Sequence, residues 1–278
     1  MIKLLQYSTF VFCLLFVACS NDKQIKKTIT SNNKTEEEKT IPFDSDTKTI
    51  HVFVALCDNK YQGIVPVPEK IGNGQDPDNN LYWGCAFGVK SYFKKSKEWK
   101  FIESRKSKSV KLERIIFKHT TKNYYLIADA YDGKFIKEST IDFLNSSNGK
   151  NKDTLKIGKI TIGIGGNSKL LAYVGHDGLM DFQLNETFEN TDKPKRDVII
   201  LACYSKKYFA PHLQKSNVNP LVWTTGLMSP EAYTLHDAIS GYLLNESNEQ
   251  IRTRAAKAYS KHQKCSEKAA KNLLVTNF

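Results

Sequence analysis

From about residue 50 onward, short apolar runs of strand length alternate with longer stretches whose apolar residues recur at helical spacing. His51 to Cys57 (HVFVALC) is continuously apolar, as expected of a strand covered on both faces. A segment rich in Gly, Pro, Asn and Asp follows, from Asp58 to Asn80, and reads as a loop. Asn80 is placed to cap a helix from Leu81 to Lys94, with Leu81, Ala86, Val89 and Phe93 toward the core. Leu112 to Phe117 and Tyr124 to Ala130 predict strands, and Lys134 to Leu144 a helix presenting Phe135, Ile136, Ile141 and Leu144. Leu155 to Ile164 alternates, Leu170 to Val174 and Val198 to Ala202 are buried-strand patterns, and a helix starts after Ser205. Leu221 to Thr224 predicts a short strand, and Ser229 to Leu244 a helix with Ser229 as cap and Pro230 in its first turn. Near the end, Ile251, Ala255, Ala258, Cys265, Ala269 and Leu273 form one apolar stripe of a single amphipathic helix. Strands alternating with helices of these lengths imply an α/β domain over residues 50–278, with a mainly parallel sheet and helices on both faces.

The residues before this domain have a different character. Met1 to Lys3 supply a positive start, and Leu4 to Val17 form an apolar run too short to span a bilayer. Residues 1–18 read as a signal peptide. The run ends in Phe16-Val17-Ala18-Cys19, which resembles the lipobox of bacterial lipoproteins, with Phe16 in place of the usual Leu. That resemblance implies a lipid on Cys19 and attachment to a bacterial membrane. An ordinary signal cleaved after Ala18 is the alternative, and either places the protein outside the cytoplasm. Ser20 is unlike the Asp that retains lipoproteins at the inner membrane, so the outer membrane is favoured. Residues 19–49 are expected to be a flexible tether, because their Ser, Asn, Thr, Lys and Glu cannot bury enough surface to offset the entropy of ordering.

Charge is unevenly placed. The chain has 41 Lys and Arg against 29 Asp and Glu, a net +12, yet Ser20 to Thr49 carries six of each sign. The excess therefore sits in the folded domain. Nine Lys or Arg lie between Lys94 and Arg114, and Arg254, Lys257, Lys261, Lys264 and Lys268 lie off the apolar stripe of the terminal helix. Such a face is either solvated or rests near anionic headgroups. Extracytoplasmic placement and the lack of any aromatic-basic module exclude nucleic acid as the expected partner.

Two strand ends carry reactive side chains. LLAYV runs into Gly175-His176-Asp177-Gly178, and VIILA runs into Cys203-Tyr204-Ser205. In an open parallel sheet, ligands bind beyond the carboxyl ends of strands, where an imidazole and a thiol can act as base and nucleophile. An apolar strand ending in His and Gly, then a second ending in Ala-Cys, resembles the caspase, legumain and gingipain superfamily of cysteine peptidases, including its bacterial CHAT branch. The resemblance covers most of the domain, from His51–Cys57 as first strand to the helix after Ser229. It implies a caspase-like fold, His176 and Cys203 as the catalytic pair, and an oxyanion site from the backbone N–H groups of Cys203 and Gly178. It further implies a specificity pocket between Asp58, Asn59 and Gln62 on one side and Trp223, Thr224 and Thr225 on the other. If Asp58 faces that pocket, a basic residue is preferred; the other reading makes it a loop cap. Two departures are visible. Asp177 separates the histidine from glycine, and Leu201-Ala202-Cys203-Tyr204-Ser205 lacks the Q-A-C-x-G signature of true caspases.

The expected partner is thus a protein or peptide substrate, with the membrane reached through the anchor and no cofactor or metal; the oligomeric state is left open. An inactive relative serving as a binding module is the leading alternative. A metal-dependent hydrolase using His176, Asp177, Asp181, His212 and His236 is a lesser one, since no pair has HExxH-like spacing. No G-x-S-x-G elbow occurs, and Gly163-Ile164-Gly165-Gly166 lacks the context of a phosphate loop. Setting aside Cys13 and Cys19, four cysteines remain: Cys57, Cys85, Cys203 and Cys265. They pair in three ways, and a working Cys203 leaves room for one bridge, with Cys57 and Cys85 the nearest candidates.

Overall fold

The computed structural model describes residues 42–278; the signal segment 1–18, Cys19 and the tether as far as residue 41 lie outside the described residues. The first strand, β1, spans Lys48–Ala55. Order reaches back further than residue 50. Asp44 donates its backbone N–H to Thr161 O at 2.9 Å and its carboxylate accepts the Thr47 hydroxyl at 2.6 Å. Lys48 and Thr49 are polar, so an apolar pattern hides them, but backbone pairing with Tyr124 and Tyr125 extends the strand.

The remaining elements follow as α1 (Val89–Lys95), β2 (Trp99–Lys106), β3 (Lys111–His119), β4 (Tyr124–Tyr131), α2 (Ile136–Ser147), β5 (Lys152–Ile157) and β6 (Ile160–Gly165). Then come β7 (Leu170–Gly175), β8 (Arg196–Leu201), α3 (Ser205–Leu213), β9 (Val218–Thr224), α4 (Ala232–Leu243), α5 (Asn248–Gln263), α6 (Glu267–Leu273) and β10 (Leu274–Val275). Eight strands form one sheet in the order β10-β9-β8-β7-β1-β4-β3-β2, and β5 pairs with β6 in a separate hairpin. The five central strands, β9 to β4, run parallel, while β10, β3 and β2 close the edges antiparallel. The fold is α/β with a mainly parallel sheet, consistent with the caspase-like layout.

Strand alternation explains how both faces are covered. Ile50, Val52 and Val54 of β1, with Val174 and Leu201, pack against α1, α4, α5 and α6 through Phe93, Leu235, Ile239, Ala255 and Ala270. Phe53, Tyr173 and Ile200 pack on the other face against α2 and α3 through Phe143, Leu144 and Phe209. Buried on both sides, the central strands are mostly apolar, which is why they read so clearly in the sequence, although His51 and Asp129 pair with each other inside the sheet.

Four elements differ from the pattern's prediction. Strand β2 lies inside the basic run, at the sheet edge, where Lys100, Arg105 and Lys106 hinder pairing with another chain. This part of the domain's positive charge is thereby a solvated edge. The helix expected from Leu81 begins only at Val89, and Ala86 is exposed, because residues 81–88 form tight turns. A Cβ on Gly84 would lie 1.9 Å from Asp78 O. Asn80 caps no helix; its Oδ1 accepts the N–H groups of Cys57 and Tyr82, tying the loop to the end of β1. Helix α4 starts at Ala232, with Glu231 rather than Ser229 at its N-cap. The terminal helix is two, since Lys264 takes a left-handed conformation (φ 53°) and Ser266 caps α6 by accepting the Ala269 N–H. The break moves the stripe, leaving Ala269 exposed and Ala270 buried. Among the described residues, no helix is long and apolar enough to cross a membrane.

Candidate active site

The site forms where β1, β7, β8 and β9 end. Strand β7 closes on Gly175, whose φ of 142° and whose approach to β1 both demand glycine. A Cβ there would stand 2.4 Å from Ala55 O. The parallel register of β7 and β8 ends at Val174 opposite Leu201. Two residues beyond that pair, His176 and Cys203 follow the ends of the two neighbouring strands, in phase with Val174 and Leu201. Both side chains line one cavity of about 400 Å³.

The chain around Cys203 is fastened on both flanks. Tyr204 adopts a left-handed φ of 51° and donates its N–H to Gly226 O at 2.9 Å. Ser205 donates its N–H to Thr224 Oγ1 and its hydroxyl to Ile200 O, while the Thr224 hydroxyl donates to Ala202 O. This buried knot ties the thiol's turn to β9. Cys203 Sγ accepts the Met228 N–H at 3.4 Å and faces Met228 O at 3.6 Å. Burial, with a contribution from Asp177, pushes the thiol above its ordinary range, so Cys203 rests protonated near neutral pH.

His176 is 6 % exposed, and its Nε2 lies 2.8 Å from Asp181 Oδ2. An ionised carboxylate only accepts, so Nε2 carries the proton of the neutral ring and Nδ1 keeps the lone pair. The same Asp181 oxygen accepts the Gly63 N–H at 2.9 Å, joining the imidazole to the loop after β1. Tyr173 OH donates to His176 O at 3.0 Å and fixes the backbone. Among the described residues no hydrogen bond joins His176 to Cys203. The pair shares a cavity with its thiol parked on Met228.

Asp177 does not line the cavity. It is fully buried; Oδ1 accepts the Leu179 N–H at 3.0 Å, and among the described residues Oδ2 has no partner. Burial raises this carboxyl to about 7. Its capping bond starts a short 3₁₀ turn, Gly178–Met180, that carries Gly178 against Phe182 and Ile136. Gly178 therefore does not reach the cavity. Gly175 lines it instead.

The expected specificity residues are also elsewhere. Asp58 Oδ1 accepts the N–H groups of Lys60 and Tyr61, and Oδ2 accepts from Gln75, so its carboxylate is satisfied inside the loop. Asn59 clasps Val67 through two hydrogen bonds, and Gln62 donates to Leu56 O and Gly133 O. Trp223 is buried with its Nε1 on Asn277 O, Thr224 belongs to the knot, and Thr225 bonds Asn272 O. These six residues shape the loops; the cavity wall comes from Gly63–Val67, Leu81, Tyr82, Met180 and Leu227–Glu231. Position after a strand was too coarse a guide, because alternate residues of a loop turn inward to satisfy its own backbone. Asp181 and Glu231 carried no periodic signal at all.

Cys57, Cys85, Cys203 and Cys265 are all free, so Cys57 and Cys85, the nearest candidates for a bridge, are not joined. Cys57 is buried and does not line the cavity. Among the described residues no three His, Cys, Asp or Glu side chains converge in a metal-ligating group. His212 packs on Phe188 and His236 bonds Ser96, both away from His176.

No protein-family model, curated protein or solved structure matches this chain.

Proposed function

We propose that this protein is a cysteine peptidase, lipid-anchored outside the cytoplasm through Cys19, that hydrolyses an amide bond with Cys203 as nucleophile and His176 as base. The observation that carries the reading is the meeting of Cys203 and His176 in one cavity at the carboxyl edge of a parallel sheet, with His176 oriented by Asp181. A base held by a third group is the arrangement that activates a weak nucleophile. The anchor is supported by the Phe16-Val17-Ala18-Cys19 sequence.

Because the thiol rests protonated, the proton must leave as the substrate arrives. A bound carbonyl draws Sγ off Met228; Sγ attacks the carbonyl carbon, and the thiol proton passes to His176 Nδ1. In this reading the backbone N–H of Cys203 meets the developing oxyanion. The C–N bond then breaks, the imidazolium returns its proton to the leaving amine, and a thioester remains on Cys203. Water, deprotonated by His176, hydrolyses the thioester and restores the thiol.

The parked thiol favours a second reading, an inactive relative that binds peptides in the same cavity. Incubation of the mature protein with a denatured protein mixture separates the two. Peptidase action requires new termini that vanish in Cys203→Ala; intact substrates with both proteins leave only the binding reading.

A further inference from the structure

Glu231 is the single formally charged side chain among the residues lining the cavity. Apart from His176, Cys203 and the Tyr82 phenol, the rest of the wall is apolar or small, with Ile64, Val67, Leu81 and Met228 prominent. The domain around it is strongly basic, yet among the described residues Glu231 forms no ion pair, although Lys and Arg side chains bind Asp78, Asp142, Glu246 and Glu249. A carboxylate in a cationic protein that has found no cation is available for an external one.

Its geometry is fixed rather than free. Oε2 accepts the Tyr233 hydroxyl at 2.8 Å and the Gln263 amide at 3.0 Å, while Gln263 also donates to Tyr233 OH at 2.6 Å. Tyr233 is itself fully buried and stacked on His262 at 4.0 Å. Oε1 has no hydrogen-bond partner among the described residues. The carboxylate is therefore held by one oxygen and offers the other. Around the mouth, Val65 and Leu227 are 84 % and 66 % exposed, an apolar rim on which an aliphatic stem can lie.

We propose that this cavity selects an arginine or lysine side chain, with its methylene stem on the apolar wall and its cationic head on Glu231 Oε1. Both side chains pair a long apolar stem with a cationic tip, and a preorganised carboxylate in a partly dry cavity discriminates strongly for charge. Since Cys203 shares the cavity, the selected residue is the one whose carbonyl is attacked. This inference rests on the peptidase reading for its position in the substrate, but not for the binding itself.

The experiment uses two acyl-dipeptidyl acyloxymethyl ketones, differing only in arginine against norleucine beside the reactive carbon, and agmatine as a non-reactive cation. Labelling of Cys203 is followed by intact mass, and agmatine binding by calorimetry. The arginine reagent should label at least about tenfold faster than the norleucine one, and Glu231→Gln, which keeps an acceptor for Tyr233, should collapse that ratio toward one. Agmatine should bind the native protein and lose most of its affinity in Glu231→Gln. Equal labelling rates on the native protein overturn the selectivity and leave the peptidase reading standing. Glu231-dependent agmatine binding without labelling by either reagent overturns the peptidase reading and leaves the cation site standing. No agmatine binding together with equal rates overturns the cation site.

Discussion

Replacing Asp177 by asparagine should make the protein less sensitive to alkaline pH, and the size of the effect follows from one carboxyl. Asp177 is fully buried beside the site, with Oδ1 capping the Gly178–Met180 turn and Oδ2 without a partner among the described residues, so burial lifts it to about 7 in the folded protein. The unfolded chain titrates it near 3.8. A group raised on folding contributes stability that is complete below its unfolded value and is lost as pH rises through its folded value. With those two values, the wild-type protein loses about 2–3 kcal/mol from this group between pH 5 and pH 8. Asparagine cannot ionise and keeps the capping acceptor, though its amide nitrogen inherits a site without an acceptor at a cost of about 1–3 kcal/mol. The variant is thus expected to be less stable than wild type at pH 5 and to match or exceed it at pH 8. Urea denaturation at both values measures this. A stability difference that stays the same at the two pH values within about 0.5 kcal/mol would refute the burial argument. A second readout concerns the site: Asp177 pushes the Cys203 thiol upward, so its removal should lower the pH at which alkylation of Cys203 accelerates.

Two further outcomes are expected. Asp181→Asn should leave the fold intact but slow Cys203 labelling by a peptidyl electrophile by about tenfold or more, because the ring loses the charge of its carboxylate partner; labelling at the wild-type rate would remove Asp181 from its positioning role. Gly175→Ala should cost at least about 1–3 kcal/mol from backbone strain alone, with more from the contact at Ala55 O, and thermal unfolding at the wild-type temperature would show that the β7 turn tolerates a side chain.

The central strands were legible because burial on two faces makes Val52–Cys57, Leu170–Val174 and Val198–Ala202 apolar at every position. Edges were not. Strand β2 is exposed along most of its length, so its sequence answers to solvent and reads as a charge run. Lys48, which is exposed, and Thr49, which is buried with its hydroxyl on Gly163 O, were lost from β1 because both are polar and pair through backbone. The helix predicted from Leu81 failed on two glycines whose role is close backbone approach, which a hydrophobic period does not register. In the site, His176 and Cys203 could be found because strand ends are countable and parallel neighbours share a register. Their supports could not. Asp58 had the right location for a cavity residue, but unpaired backbone N–H groups of Lys60 and Tyr61 claimed it, whereas Glu231, outwardly an ordinary residue before a helix, was turned inward by Tyr233 and Gln263.

The central claim is that His176 activates Cys203, and the most direct measurement is the rate at which a peptidyl electrophile modifies Cys203 at pH 7 in wild type and in His176→Ala, resolved by peptide mass mapping against Cys57, Cys85 and Cys265. The account predicts that Cys203 is modified first in the wild-type protein and that the alanine variant slows it by about a hundredfold, the scale of a lost general base. Equal rates in the two proteins, or modification of Cys85 or Cys265 ahead of Cys203, would contradict it.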